Sequence, residues 1–312
     1  MEIGVARLGE IAVSAIVARS ARALDAPLAY DAVLAVARVR DEGVVRGAFQ
    51  RARHGEPRRG SGGASVRVGA GTLWVTLALA HSAALVACAP SQIVNRHVRP
   101  LLRALTRLGA QAHYFGRDWV SVAHRPCAAV AFAHDAGTRR AVFEAVVAVT
   151  HPFAGGTGAA RASFRGKAPG TIEEIVGKRI DLDGLEHAIV DSYANAYGRT
   201  PRDIDLDLDR DLDHHLDLDD PPWLATTTEA IGEIGAGPDA RGVFRVGGDL
   251  MASRDAMASL EARAALAPLD AIPSLVAETL TAPGVAIDGV RDLSSLARTI
   301  AEARLHMGKE SP

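Results

Sequence analysis

The apolar positions of the chain change period several times, and each change marks a predicted element. Between Gly4 and Leu24, Ile11, Ala15, Ile16 and Ala18 fall at helical spacing and predict a helix. Leu28 to Val39 and Val44 to Phe49 are short and valine-rich, with turn chemistry in Asp41-Glu42-Gly43 between them, and predict strands. A basic, glycine-rich loop from His54 to Gly63 leads into two more expected strands, Ala64 to Val68 and Thr72 to Leu79. Val94, Val98, Leu101, Leu102, Leu105 and Leu108 form one face of a predicted helix that Ser91 would cap and Gly109 would end. Ala112 to Phe115, Trp119 to Ala123, Ala128 to Ala133 and Phe143 to Val149 then read as strands.

His151 to Gly158 is a glycine- and proline-containing connection, and a helix is expected from Asp181 to Tyr197, ending at Gly198. Between Asp203 and Asp220 stand nine aspartates, a self-repelling run that reads as a solvated loop or linker. His214 and His215 inside it leave a cation or partner site open, but the glycine and terminal glutamate of a calcium loop are missing. Past Pro221-Pro222, strands are expected at Ile231 to Gly235 and Val243 to Val246, then helices at Ala256 to Ala264, Ile272 to Leu280 and Asp292 to Arg304. Strands joined mainly by hairpins, with a few helices, predict an α+β fold. The expected organisation is a domain over 1–200, an acidic linker over 201–222 and a smaller α+β unit over 223–312.

Composition narrows the picture. A chain of 312 residues buries a core without disulfides, and two cysteines, Cys88 and Cys127, are too few for a disulfide framework or a cysteine zinc cluster. A net charge of −2 argues against a nucleic-acid binder. Val68 to Asn95 carries no formal charge, which raises a membrane span, but its Gly69, Gly71, Thr72, Thr76 and Pro90 fit a buried strand and a loop better. With Glu2 and Glu10 near the start and no compact apolar run, no signal peptide is read, and a cytoplasmic protein without nucleic-acid or membrane partners is the expectation. Of 35 basic residues only Lys167, Lys178 and Lys309 are lysine, so any chemistry that needs an amine must use one of them.

The densest chemistry is Arg58-Arg59-Gly60-Ser61-Gly62-Gly63 running into a strand. Adjacent glycines let backbone amides approach a ligand, and guanidiniums pair with carboxylate or phosphate oxygens. A surface turn is the plainer reading of this loop, as an ordinary tight turn is of Gly116-Arg117-Asp118.

In this order the pieces resemble the lipoate-protein ligase family of the biotin and lipoate ligase superfamily. The family's double arginine, serine and glycine run is similar to Arg58, Arg59, Ser61, Gly62 and Gly63, with Ala64 in the third glycine position. Its following strand, long helix and Gly-Arg-Asn-Asp turn are similar to Thr72 to Leu79, Ser91 to Leu108 and Gly116-Arg117-Asp118. Val45 to Gln50 resembles the strand ahead of the loop, and Gly242 to Ala264 the small accessory domain. The resemblance implies a biotin/lipoate ligase-type domain with a mixed or antiparallel sheet. It implies binding of lipoate or octanoate, activation by ATP and Mg²⁺ as an acyl-adenylate, and transfer to a lysine. The acceptor would be a lipoyl domain of a 2-oxoacid dehydrogenase or glycine-cleavage type protein.

By the same resemblance Arg58 and Arg59 would flank carboxylate and phosphate, Ser61 to Gly63 would line the acyl channel, and Gly116, Arg117 and Asp118 would face the nucleotide. The sequence departs from the family at its lysine, where His124-Arg125-Pro126-Cys127 stands instead, and at a later His-Gly, which reads Phe143-Glu144. Arginine's planar fork does not replace a compact ammonium. Two other readings therefore stand beside the ligase: a non-catalytic binding protein on a ligase fold, and an ATP-independent octanoyl or lipoyl transferase with Cys127 as acyl acceptor. His124 and His134 are candidate bases without an evident partner. A ligase mechanism requires the ammonium of Lys167 or Lys178 to reach the space beside Arg58 and Gly62.

Overall fold

The computed structural model describes residues 2–116, 118–152, 167–206, 218–229 and 231–309. The chain opens with a strand, a helix and a second strand: β1 (Glu2–Ile11), α1 (Val13–Arg22) and β2 (Ala32–Val39). The helical crossover makes β1 and β2 parallel. A small two-stranded ribbon, β3 (Gly43–Val45) and β4 (Val66–Val68), brackets the basic loop. β5 (Thr72–Leu79) precedes α2 (Ile93–Arg107), and the hairpin-linked β6 (Ala112–Tyr114), β7 (Trp119–Val122), β8 (Arg125–His134) and β9 (Ala141–Ala148) follow. Then come α3 (Ile172–Val176), α4 (Leu182–Tyr197) and β10 (Thr200–Asp203).

The eight-stranded sheet runs β10-β1-β2-β5-β9-β8-β7-β6. It is parallel across its first three strands and antiparallel beyond them, so the expected α+β fold carries a mixed sheet. Alternation along β5 sorts the two faces. Leu73, Val75, Leu77 and Leu79 pack with Val98, Leu101 and Leu105 of α2 and Leu185 and Ile189 of α4. Trp74 turns the other way, onto Val13, Ile16 and Val17 of α1. Each such leucine or valine contributes about 1.5–3 kcal/mol of burial.

The C-terminal part has its own apolar centre. β11 (Ala225–Thr228), β12 (Glu233–Pro238) and β13 (Phe244–Gly248) form an antiparallel sheet. β14 (Met251–Ala252) pairs with β15 (Ile287–Asp288), and α5 (Arg254–Leu266), α6 (Ile272–Leu280) and α7 (Leu293–Lys309) complete the unit. Leu250, Leu260, Val276 and Ile300 meet there, while Ile231 and Met251 join the apolar cluster of the main sheet.

Three expectations change. The N-terminal helical spacing belongs only to α1, and residues 2–11 are a strand inserted between β2 and β10. Glu2 lies opposite Thr200, a partner that no local window contains. Ser91 lies in a short 3₁₀ turn, Pro90–Gln92, and does not cap α2, whereas Gly109 does turn the chain at φ +89. The aspartate-rich stretch begins inside β10, its residues 207–217 lie outside the described ones, and its end is anchored to the loop. The Asp219 carboxylate accepts from the His54 amide at 2.5 Å and that of Asp220 from the Ala52 amide at 2.7 Å. Among the described residues no helix is long and apolar enough to cross a membrane.

Candidate functional site

The Arg58–Gly63 loop lies over the α1 face of the sheet. Registry across the strands sets Thr76 of β5, Glu144 of β9 and Ala131 of β8 in one row on that face. Glu144 is 1 % exposed, the one charged residue in an otherwise apolar strand. Its Oε1 accepts from Trp74 Nε1 at 2.8 Å and Thr76 Oγ1 at 3.4 Å, and its Oε2 from the Ser61 amide at 3.1 Å. A buried carboxylate is tolerable only with such donors. Ala131 then meets the loop itself, its Cβ lying 3.4 Å from where Gly63 would carry one.

Every amide of the glycine run is engaged within the chain. Gly60 donates to Ser20 Oγ at 2.6 Å, Gly62 to the Phe132 carbonyl at 3.0 Å and Gly63 to the Leu250 carbonyl at 2.8 Å. Glycine is required for this closeness, because a Cβ on Gly60 would sit 2.0 Å from the Ser20 carbonyl oxygen and one on Gly62 2.4 Å from that of Leu250. Arg59 is buried within the loop and donates to Ser61 Oγ at 3.0 Å and to the carbonyls of Gly62 at 2.6 Å and Ala64 at 2.9 Å. Arg58, its neighbour, is exposed and makes no side-chain hydrogen bond or ion pair among the described residues.

The remaining candidates lie elsewhere. Gly116 and Asp118 are in the turn between β6 and β7, at the sheet edge, while the loop sits over β5 and β9; Arg117 is outside the described residues. Lys167 reaches toward that turn, its Nζ 5.8 Å from the Phe115 ring centre. Lys178 Nζ lies 3.2 Å from the Cβ position of Gly109, at the end of α2. Neither ammonium is beside Gly62. Arg125 donates to the Pro169 carbonyl and to Glu174, both at 2.8 Å, so this charge clamps the start of α3. Cys127 is fully buried in the cluster on the α2 face, and burial pushes its thiol up to about 12. His124 occupies an exposed hairpin turn at φ +62. His134 is 1 % exposed, with Nδ1 3.0 Å from Ser253 Oγ at the start of α5.

On Arg58's side the loop borders a cavity of about 560 Å³ shared with the C-terminal part. Arg51, Trp223 and Arg241 line it, none of them singled out by motif. The available signal is an arginine one residue beyond Gln50 and a tryptophan just after Pro221-Pro222. Gln50 helps to shape this side, accepting from the Gly47 amide at 2.8 Å and donating to Asp249 at 2.6 Å.

No family model matches the chain, and no curated protein matches it in sequence. Solved structures do match its fold. A bi-partite lipoate protein ligase of Thermoplasma acidophilum, described with its E2 lipoyl domain, is similar at 16% identity and TM-score 0.53 over 67% of this chain and 89% of that one. LipL1 of P. falciparum in complex with lipoate is similar at 12% identity and TM-score 0.53, over 78% and 82% of the two chains. A lipoate-protein ligase A bound with ATP is similar at 15% identity and TM-score 0.50, over 66% and 90%. The chain therefore has the lipoate-protein ligase fold, with its sequence far diverged.

Proposed function

We propose that this chain is a binding protein on a lipoate-ligase fold, working through the Arg58 side of its loop and not forming an acyl-adenylate. The observation that carries the reading is the Glu144 carboxylate sealed beneath Ser61. Adenylate formation needs free donors aimed at the place where negative charge develops. Here the Ser61, Gly62 and Gly63 amides donate within the chain, and a buried carboxylate adds negative charge beneath them. The loop amides, already given to acceptors of the chain, leave no donor there for an acyl-phosphate. Arg125 is committed to Glu174, and the buried Cys127 thiol is poorly suited to accept an acyl group.

The competing reading is a working ligase that attaches lipoate or octanoate to a lipoyl acceptor domain. It is favoured by the extent of the fold match and by the uncommitted Arg58 guanidinium. Incubation with lipoate or octanoate, ATP and Mg²⁺, with and without an acceptor domain, separates the two. No pyrophosphate release and no acceptor lipoylation are expected. Release that disappears in Arg58→Ala overturns the proposal in favour of the ligase, and ATP-free acyl transfer abolished by Cys127→Ser overturns it in favour of the transferase.

A further inference from the structure

α2 packs one side into the main core and turns a row of arginines outward. Arg96, Arg99, Arg103 and Arg107 recur at steps of three and four residues, so they stand above one another on one face of the helix. Arg99, Arg103 and Arg107 are exposed and Arg96 is half-buried. The side chains of Arg96, Arg99 and Arg103 make no hydrogen bond or ion pair among the described residues, and Arg107 reaches only Ser192 Oγ, at 3.4 Å. Asp191, the exposed carboxylate beside Ser192 on α4, holds none of them. Like charges at this spacing repel one another, so the row is unfavourable to the helix unless carboxylates from outside it draw near.

The surroundings of the row select its partner. Among the described residues no exposed large apolar side chain lies on α2, so this face has nothing to insert into a bilayer. A net charge of −2 disfavours nucleic acid. The complement stands in the chain itself, where every second residue from Asp203 to Asp213 is aspartate. In an extended segment that period sets carboxylates on one side about 6.7 Å apart, and arginines four apart on a helix rise by about 6 Å, so the two repeats match. Asp205 is exposed and makes no side-chain hydrogen bond or ion pair among the described residues. Both described ends of the run sit on the α1 face of the sheet: the Leu206 carbonyl accepts from Arg19 of α1 at 3.0 Å, and Asp219 is bound to the His54 amide of the basic loop. The row on α2 lies across the sheet from them, so the aspartates that meet it belong to another molecule.

We infer that the arginine row of α2 is a docking face for the aspartate-rich segment of a second copy of this chain. Guanidinium forks pair well with carboxylates, and several pairs at matched spacing fix the register of the contact. Exposed charge pairs are individually weak and screened by salt, so the association is reversible. Row and segment lie on opposite faces of the sheet, so the row of one copy meets the segment of the next, head to tail. The contact uses neither the Arg58 loop nor its cavity.

Sedimentation velocity of the full chain over a concentration series, at about 50 and about 300 mM salt, tests it. Concentration-dependent association is expected at the lower salt and about tenfold or more weaker at the higher. Arg99→Glu with Arg103→Glu should abolish it, and so should Asp205→Asn with Asp207→Asn and Asp209→Asn, with circular dichroism checking that each variant folds. Mixed together, these two variants should form a one-to-one dimer and nothing larger, because one keeps only the segment and the other only the row. Arg291→Glu with Arg298→Glu makes the same charge change at exposed positions around the start of α7 and should leave association as it was. A parent that stays monomeric at the lower salt, association that survives the α2 substitutions, an equal loss in the α7 variant, or variants that fail to pair when mixed overturns the inference. Binding of the parent to single-stranded RNA or to phosphatidylserine vesicles through Arg99 and Arg103, without self-association, overturns it in favour of that partner.

Discussion

Arg58 and Arg59 are neighbours in sequence with opposite fates. Arg59 is buried at 3 % exposure and holds the loop to itself through Ser61, Gly62 and Ala64. Arg58 is exposed on the cavity side, and its side chain makes no hydrogen bond or ion pair among the described residues. The same division runs through the whole loop: its sheet side is closed by Glu144, Phe132 and Leu250, and its cavity side carries the exposed Arg58 guanidinium. A motif that resembles one site thus splits into a buried half and an exposed half. Glycines that let a ligand approach in one setting let the protein's own backbone approach in another, since the steric requirement is identical.

The largest effect should come from breaking the closed side. Glu144→Leu strands the Trp74 indole N–H, the Thr76 hydroxyl and the Ser61 amide, and a loss of about 3–5 kcal/mol is expected in urea unfolding. A loss below about 1 kcal/mol would mean that the carboxylate does not close the loop. Arg59→Ala follows, at about 3 kcal/mol, because two carbonyls and a hydroxyl lose a charged donor.

The opposite face of the sheet offers a control on whether sealing is general. His97 of α2 is buried against Tyr197, and burial pulls its pKa from 6.5 down to about 4. The unfolded chain therefore takes up this proton first as the pH falls. Stability should be complete above about pH 6.5 and drop by up to about 3 kcal/mol toward pH 4, read from urea midpoints across that range. A flat profile would show that protons reach the folded histidine freely. Smallest of all is Arg58→Ala, whose unfolding free energy should stay within about 0.5 kcal/mol of the parent. A larger loss would erase the contrast with Arg59.

Legibility in the sequence followed the range of the interactions. α6 matches its expected bounds, Ile272 to Leu280, and α4 spans its expected Asp181 to Tyr197 apart from the cap, because helix periodicity and capping are local. Asp181 caps α4 by accepting from the Asp183 and Gly184 amides, and Gly198 ends it in the left-handed conformation. β5 is recovered at Thr72–Leu79 because its apolar run is bounded by a turn. β1 was hidden, since its identity depends on pairing with β10 and β2. At the candidate site the loop itself was evident from its residues. Glu144 stood out only as a departure from a family pattern, and Arg51, Trp223 and Arg241 left no motif because three separate segments converge on one cavity.

From sequence alone come the α+β class, most of the helices and central strands, the arginine-glycine loop and the scarcity of lysine that puts adenylate chemistry in question. The direction in which that loop faces was decided by tertiary structure. Gly60 is held by Ser20, 40 residues earlier, and Ser61 by Glu144, 83 residues later, while Gly63 is held by Leu250 from the C-terminal part. A backbone amide has one proton to donate, and whether a ligand or the chain itself receives it depends on which distant acceptor the fold brings within 3 Å or so.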